Sequence, residues 1–133
     1  MKGTRANQEL AMAGDATPLT GLRVSGSPDL DALLGEFRTL LVKKFGAKLE
    51  RLLLFGPHAT GSVSSNSDVD VAVILHQVQS HLDRMLPMDV AADLLEKYDL
   101  VLAPVVLSTT ELDFMRQHDD PLAQQLDRDG LAF

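Results

Sequence analysis

Two aspartates, Asp68 and Asp70, stand one residue apart at the entrance to the apolar run VDVAVIL. In a β-strand, residues i and i+2 point to the same face, so the two carboxylates are predicted to lie side by side. Like charges at that distance raise each other's pKa, and a bound divalent cation removes the conflict. Hard cations such as Mg²⁺ or Mn²⁺ prefer carboxylate oxygens, and substrate phosphates commonly supply further ligands. The pair therefore indicates a metal site that acts on a phosphate compound.

A small polar loop, residues 56–67, leads to this pair from a second apolar run, Leu49–Phe55. The loop begins at Gly56 and contains Gly61 and four serines. A loop of this composition can approach a phosphate closely and offer backbone N–H groups to it. A phosphate loop beside a metal-binding carboxylate pair indicates phosphoryl or nucleotidyl transfer.

The Ser-Asp-x-Asp segment also has a simpler interpretation. It can be a solvated turn in which Asp68 accepts backbone hydrogen bonds. For an isolated Asp-x-Asp this interpretation is the more frequent one, because short motifs match by chance. The joint pattern of strand, glycine turn, loop, Ser-Asp-x-Asp and second strand favours the metal site, and the residues alone leave both interpretations open.

A long helix is predicted ahead of the first strand. Ser27-Pro28-Asp29 supplies a hydroxyl cap, a proline for the first helical position and a carboxylate near the positive end of the helix dipole. Apolar residues follow at helical spacing as far as Phe45, and Gly46 is predicted to end the helix.

Three apolar runs are too short for helices and predict strands at Leu49–Phe55, Val69–Leu75 and residues 100–107. The first is apolar on both faces, which is typical of a strand covered on both sides. Pro104 in the third run predicts an edge strand or a bulge, because proline cannot donate a ladder hydrogen bond.

Further helices are predicted between and after these strands. One spans about residues 87–98, one starts at the capping box Ser108-Thr109-Thr110-Glu111, and Asp120-Pro121 restarts a helix that Gly130 ends. The resulting order predicts an α/β domain of the α+β type, with a small mixed sheet flanked by helices in two layers.

Composition limits the class of protein. The 133 residues fit one domain, with residues 1–26 as a flexible tail and residues 27–133 as the folded part. The net charge of −7 argues against direct binding of duplex nucleic acid through its phosphates, and it fits a cation site or a basic partner. There is no cysteine, and no apolar run approaches the length of about 18 residues that a membrane span needs. A cytoplasmic protein without a membrane partner is expected.

The stretch around the aspartates resembles the signature of the nucleotidyltransferase superfamily, in its minimal-nucleotidyltransferase (MNT) branch. That signature reads Gly-Ser, about ten residues, then Asp-x-Asp, usually as GSxARG and SDxD. Here the matching residues are GPHATG at 56–61 and SDVD at 67–70, with the spacing kept. The segment YDLVLAPVVLSTTELDF also resembles the third strand and the following helix of that branch.

The resemblance implies a role for each matching position. Gly56 would begin a phosphate-binding turn, and the residues Pro57, His58, Thr60, Gly61 and Ser67 would complete the nucleotide-binding loop. Asp68 and Asp70 would hold Mg²⁺ on a nucleoside triphosphate, with ATP as the expected substrate. Many members use a third carboxylate, for which Asp99 is the candidate, although a turn residue between helix and strand is an equal alternative there.

Two positions depart from the signature. Pro57 replaces the family serine and offers neither a hydroxyl nor a backbone N–H. Thr60 replaces the family arginine, which removes a fixed positive charge. His58 can substitute in part if it is protonated, but a loop histidine is more often simply solvated.

Two functions of different classes follow. The first is a Mg²⁺-dependent enzyme that moves AMP from ATP onto a protein or RNA acceptor. In this branch such a protein is often the antitoxin of a pair whose toxin is a helical HEPN protein. The second is a catalytically decayed domain that binds and neutralises a protein partner. The sequence leaves self-association into a homo-oligomer open.

Overall fold

The computed structural model describes residues 28–62 and 68–133 of the chain. Its helices are α1 (Pro28–Phe45), α2 (Pro57–Thr60), α3 (His81–Tyr98), α4 (Thr109–Gln117) and α5 (Pro121–Asp129). Its strands are β1 (Leu49–Phe55), β2 (Val69–Leu75), β3 (Leu102–Ser108) and β4 (Leu131–Ala132). The predicted tail at 1–26 and the predicted site residue Ser67 lie outside the described residues, and the domain limits of 27–133 stay a prediction.

The four strands form one sheet in the order β3-β2-β1-β4. β1 pairs with β2 and with β4 in antiparallel fashion, whereas β2 pairs with β3 in parallel. The mixed sheet and the α+β fold class are therefore confirmed. Pro104 lies in an edge strand, as its missing N–H requires.

Helices cover both faces of this sheet, so the expectation of two layers is wrong and the domain has three. Alternate residues of each strand point to opposite faces. Both sets are apolar in β1 and β2, and each needs a cover. One face packs on α1 and α3 through a cluster that includes Leu30, Phe37, Leu54, Val71, Val73 and Leu94. The other packs on α4 and α5 through Leu53, Phe55, Ala72, Ile74, Leu112 and Leu126.

α3 begins at His81, six residues before the predicted start near Pro87. Pro87 is a buried residue inside the helix. The actual start follows Ser80, where the Asp83 carboxylate accepts the Gln79 N–H at 2.8 Å and contacts Lys48 Nζ at 3.2 Å. This carboxylate near the positive helix end stabilises an early start.

In the C-terminal half, α4 and α5 begin at the residues that the sequence predicts. The Ser108 hydroxyl and the Glu111 side chain form the predicted capping box, and the Asp120 side chain caps α5. β3 begins two residues later than predicted. β4 was not predicted at all; it adds an edge to β1, and the Phe133 N–H donates to Leu52 O at 3.1 Å. Within the described residues, no helix is both long and apolar enough to cross a membrane.

Candidate active site

The two aspartates lie where β2 begins, at one end of the sheet. Asp70 is the second residue of β2 and pairs with Phe55, the last residue of β1. It is partly buried, whereas Asp68 precedes the strand and is exposed. By strand alternation the Asp70 side chain is on the sheet face of Ala72 and Ile74. The structure thus gives one carboxylate a partly shielded place at the end of the core and leaves its neighbour in solvent.

Gly56 brings the backbone of the turn against the Asp70 carboxylate. Its φ of 74° and ψ of −158° lie in a region that side-chain-bearing residues rarely adopt. A Cβ built on Gly56 would overlap Asp70 Oδ2 and would lie 3.2 Å from Asp70 Cγ. Glycine is therefore needed here for two reasons, the backbone conformation and the close approach of Asp70. The contact follows from the β1–β2 register, which places the end of β1 beside Asp70.

The electrostatics of the pair agree with this geometry. Burial raises the pKa of the Asp70 carboxyl above its ordinary value, the Asp68 carboxylate raises it further, and His58 acts in the opposite direction. The folded protein therefore holds the charged form of Asp70 at some cost. A cation bound beside the pair would remove this cost, because it stabilises both charged carboxylates.

His58 is buried, with only 7% of its surface exposed. The preferred expectation of a solvated loop histidine is therefore wrong. The cause is α2, a short helix inside the stretch that was expected to be a loop, which contacts both β1 and β2. A sequence signal did exist, because proline at a first helical position followed by Gly61 is typical of a helical turn. His58 is thus a site neighbour of Asp70, and its charge state affects that carboxylate.

The turn itself uses most of its own N–H groups. Pro57 has none. The N–H groups of residues 59–62 donate to two carbonyl oxygens of the turn. Ala59 and Thr60 donate to Gly56 O at 3.0 and 3.2 Å, Ser62 donates to Pro57 O at 3.0 Å, and Gly61 also donates to Pro57 O. A phosphate at this turn would therefore compete with these internal hydrogen bonds. Thr60 is exposed, and its hydroxyl lies 3.5 Å from Gly56 O.

Asp99 ends α3 in a left-handed conformation, with φ of 54°. Its N–H donates to Leu95 O at 2.9 Å, and the residue is exposed. β3 starts three positions later, at Leu102, which pairs with Val69. Asp99 therefore precedes β3 at the end of the sheet where Asp68 precedes β2. Its backbone fits the turn-residue alternative, and its role as a third carboxylate stays a prediction.

Metal binding would depend on the aspartate pair and on the substrate. Among residues 28–62 and 68–133, no group of three or more His, Asp or Glu side chains lies close enough together to hold a metal ion. The donor set of Asp68 and Asp70 fits Mg²⁺ or Mn²⁺ in kind, since both donors are hard carboxylate oxygens. It fits in number only if phosphate oxygens and water complete the coordination.

Comparison with known proteins places this site in context. No protein-family model matches the sequence. Three curated Methanocaldococcus jannaschii proteins, each named "putative protein adenylyltransferase", are 27%, 29% and 29% identical over 78, 85 and 73 residues. These matches cover 59%, 62% and 55% of this chain, and 79%, 58% and 68% of the three relatives.

Solved structures share the fold. A toxin–antitoxin crystal structure with AMP-PNP superimposes with a TM-score of 0.50 at 24% identity, covering 73% of this chain and 69% of that one. A putative nucleotidyltransferase from Sulfolobus solfataricus also superimposes with a TM-score of 0.50, at 20% identity and 77% coverage of both chains. The expected nucleotidyltransferase fold is confirmed. The resemblance to proteins named as adenylyltransferases confirms the expected similarity to nucleotidyltransferases and agrees with an enzyme of that class.

Proposed function

We propose that this protein is a nucleotidyltransferase that transfers AMP from ATP to a protein or RNA acceptor, with Mg²⁺ or Mn²⁺ held by Asp68 and Asp70. The observation that carries the proposal is the placement of the Asp70 carboxylate against Gly56 while Asp68 lies exposed beside it. The resemblance to proteins named as adenylyltransferases supports AMP as the transferred group. A fold relative crystallised with AMP-PNP supports an adenine nucleotide as the ligand.

In this reaction an acceptor hydroxyl oxygen attacks the α-phosphorus of ATP. The new P–O bond forms as the bond to the bridging oxygen breaks, pyrophosphate leaves, and the hydroxyl proton passes to a base. The metal, when bound, neutralises phosphate charge and polarises the phosphoryl oxygens. Asp70 is fixed in place by β2 and by the close approach of Gly56, so its carboxylate would bind the cation at one defined position. Asp68 is exposed where the strand begins, so its carboxylate would bind the cation from the side that faces solvent and substrate.

Asp99 is the proposed third carboxylate. It precedes β3 as Asp68 precedes the parallel strand β2, and it is exposed. In the role that the resemblance implies, it would accept the acceptor proton or complete the metal coordination. An Asp99→Asn variant that binds ATP normally but transfers AMP slowly would support this role.

The biological setting that we propose is that of an antitoxin paired with a helical HEPN-type protein, which would be both partner and acceptor. The resemblance to the MNT branch supports it, and so does the fold relative from a toxin–antitoxin crystal structure. A basic HEPN-type partner would also suit the net charge of −7.

A second function has its own observation in favour. Pro57 lacks the donor groups of the family serine, and the N–H groups of residues 59–62 are engaged within the turn. Each missing hydrogen bond to a charged group is worth about 1.5–3 kcal/mol, so the loss of two donors weakens ATP binding by about two orders of magnitude or more. The alternative is thus a decayed nucleotidyltransferase fold that acts by binding its partner.

One experiment separates the two functions. ATP affinity is measured by calorimetric titration with Mg²⁺ present, and transfer is measured from α-labelled ATP to a HEPN-type acceptor. The enzyme predicts wild-type transfer that falls by at least about 10²-fold in Asp70→Asn. The decayed domain predicts no wild-type transfer and ATP affinity that rises in Pro57→Ser, most of all together with Thr60→Arg. If none of these folded proteins binds ATP, the turn is no phosphate site and the enzyme proposal fails.

A further inference from the structure

An apolar groove lies between α3 and the edge strand β3. It has a volume of about 220 Å³ and is lined by Met88, Ala92 and Leu95 from α3 and by Val101, Leu102 and Pro104 at β3. We refer to it as the α3–β3 groove. Three of its large side chains are well exposed: Met88 at 49%, Val101 at 48% and Leu95 at 40%. Scattered apolar residues are ordinary on a surface, but a contiguous exposed set marks an interaction site.

The exposed apolar residues of α3 follow a helix-packing pattern. Met85, Met88, Ala92 and Leu95 have spacings of three, four and three residues, so they form one stripe along the helix beside its buried stripe. A stripe of this spacing accepts the apolar face of another helix. Methionine side chains adapt readily to a facing surface, which suits them to binding.

The edge strand argues against a partner that binds as an added strand. Val69 N–H donates to Val101 O, so by alternation the backbone of Leu102, Pro104 and Val106 points outwards from the sheet. Pro104 has no N–H, and Val106 O accepts a hydrogen bond from Arg84 Nη1 at 2.9 Å. The outer edge of β3 therefore lacks a free N–H at Pro104 and a free carbonyl at Val106, and an added strand would need both.

A row of carboxylates borders the stripe on the side away from β3. Asp89, Asp93 and Glu96 are all exposed, and their spacings of four and three residues place them along one side of α3. Two copies of this chain that met through the groove would bring these rows together, and like charges at an interface are costly. The rim thus disfavours a second copy and favours a basic partner.

We propose that the α3–β3 groove is the docking site for a basic amphipathic helix of a partner protein. Its apolar face would cover Met88, Leu95 and Val101, while its Lys or Arg side chains would pair with Asp89, Asp93 and Glu96. The groove is on the α1–α3 face of the sheet, because Leu102 packs there, whereas Asp70 belongs to the opposite face. Docking would therefore leave the two carboxylates accessible, and the proposal does not depend on nucleotide transfer.

The test uses the full chain and three synthetic helical peptides of equal length. The first is built from Leu, Ala and Lys with an amphipathic pattern, the second has Glu in place of Lys, and the third has the first peptide's composition in scrambled order. We expect the first peptide to bind most tightly in a fluorescence anisotropy titration. In amide NMR spectra it should shift the signals of Met88, Ala92 and Val101.

Matched variants locate the binding. Met88→Gln combined with Leu95→Gln preserves side-chain size and helix propensity, and it is expected to weaken the first peptide at least about tenfold. Leu82→Gln is the control, since Leu82 is on the same helix, is 75% exposed and does not line the groove. Asp89→Asn with Asp93→Asn should weaken binding at low salt, and Asp119→Asn should not.

Four results would overturn the proposal. These are equal binding of the Glu peptide, equal binding of the scrambled peptide, NMR shifts confined to residues outside the groove, and no binding by the full chain. Concentration-dependent dimerisation that Met88→Gln with Leu95→Gln abolishes would instead assign the groove to a second copy.

Discussion

At the scale of single residues, the site depends on a conflict between Asp70 and its surroundings. Its carboxylate contacts the Gly56 backbone and lies close enough to Asp68 for the two charges to interact. A partly buried negative charge lowers the stability of the fold, and it also attracts a cation. This combination is typical of functional sites. A fully solvated turn would not need the partly buried position of Asp70. The conflict therefore favours the metal-site interpretation.

The raised pKa of Asp70 predicts a trade between stability and function. In an acid whose folded-state pKa is raised, the protonated form stabilises the fold, and that contribution is lost as pH rises through the folded pKa. Asp70→Asn should therefore unfold at a slightly higher urea concentration than wild type at pH 7, with the difference shrinking towards pH 4. The same variant should lose metal-dependent nucleotide binding.

Asp113→Asn is the control for this prediction, because Asp113 is an exposed surface carboxylate on α4. Asp113→Asn should leave nucleotide binding unchanged. It should not show the gain in stability at pH 7 that shrinks towards pH 4, as expected for Asp70→Asn. A less stable Asp70→Asn protein at pH 7 would contradict the argument.

At the scale of elements, the start of α3 depends on Asp83. The Gln79 N–H, followed by Lys48, lowers the pKa of the Asp83 carboxyl although burial opposes this. For an acid with a depressed pKa, the stabilisation is present above the unfolded pKa and is lost as pH falls through the folded pKa. Asp83→Ala should therefore lower the free energy of unfolding by about 1–2 kcal/mol at pH 7, with less effect in acid.

Lys48→Met provides the matched control for Asp83→Ala. It removes the ammonium partner but keeps the hydrogen bond from the Gln79 N–H, so its loss of stability in urea denaturation should be smaller. Equal losses in the two variants would mean that the ion pair, rather than the helix start, carries the effect.

The same scale shows where prediction from sequence succeeds. α1, β1 and β2 have the predicted bounds, because their caps and apolar periods are local signals. The start of α3 differs from the prediction because proline usually marks a first helical position, whereas this helix tolerates the lost hydrogen bond at the buried Pro87. β4 is two residues long and has no period to detect, since only its pairing with β1 defines it.

The candidate site was predictable to the same degree. Strand alternation predicts that Asp68 and Asp70 share a face, but Asp68 precedes β2 in the structure, so alternation places only Asp70. The contact between Gly56 and Asp70 and the burial of His58 depend on the β1–β2 register and on α2, and no local pattern encodes a register. Sequence reasoning therefore names candidate chemical groups, whose role stays a prediction, while tertiary structure determines their environment.

At the scale of the whole molecule, β4 forms one edge of the sheet. Phe133, the next residue, lies in the core beside α1 and α3. Phe133 is 7% exposed. Phe133→Ala should lower the free energy of unfolding by about 3 kcal/mol in urea denaturation, because it leaves a cavity at the sheet edge. Phe114→Ala is the control: Phe114 is 58% exposed on α4 and should change stability little. Similar losses in both variants would show that β4 is not part of the cooperative core.

The connectivity of the sheet also bears on the order in which the protein folds. Gly56, Asp68 and Asp70 all belong to the β1–β2 hairpin, whose strands are close in sequence. The parallel pairing with β3 must wait for the α3 crossover, and β4 must return from the far end of the chain to reach β1. Because closing longer loops is slower, the hairpin is expected to form first and the two edge strands later. The Asp70 carboxylate would then meet Gly56 in an early hairpin, before the rest of the sheet has assembled around it.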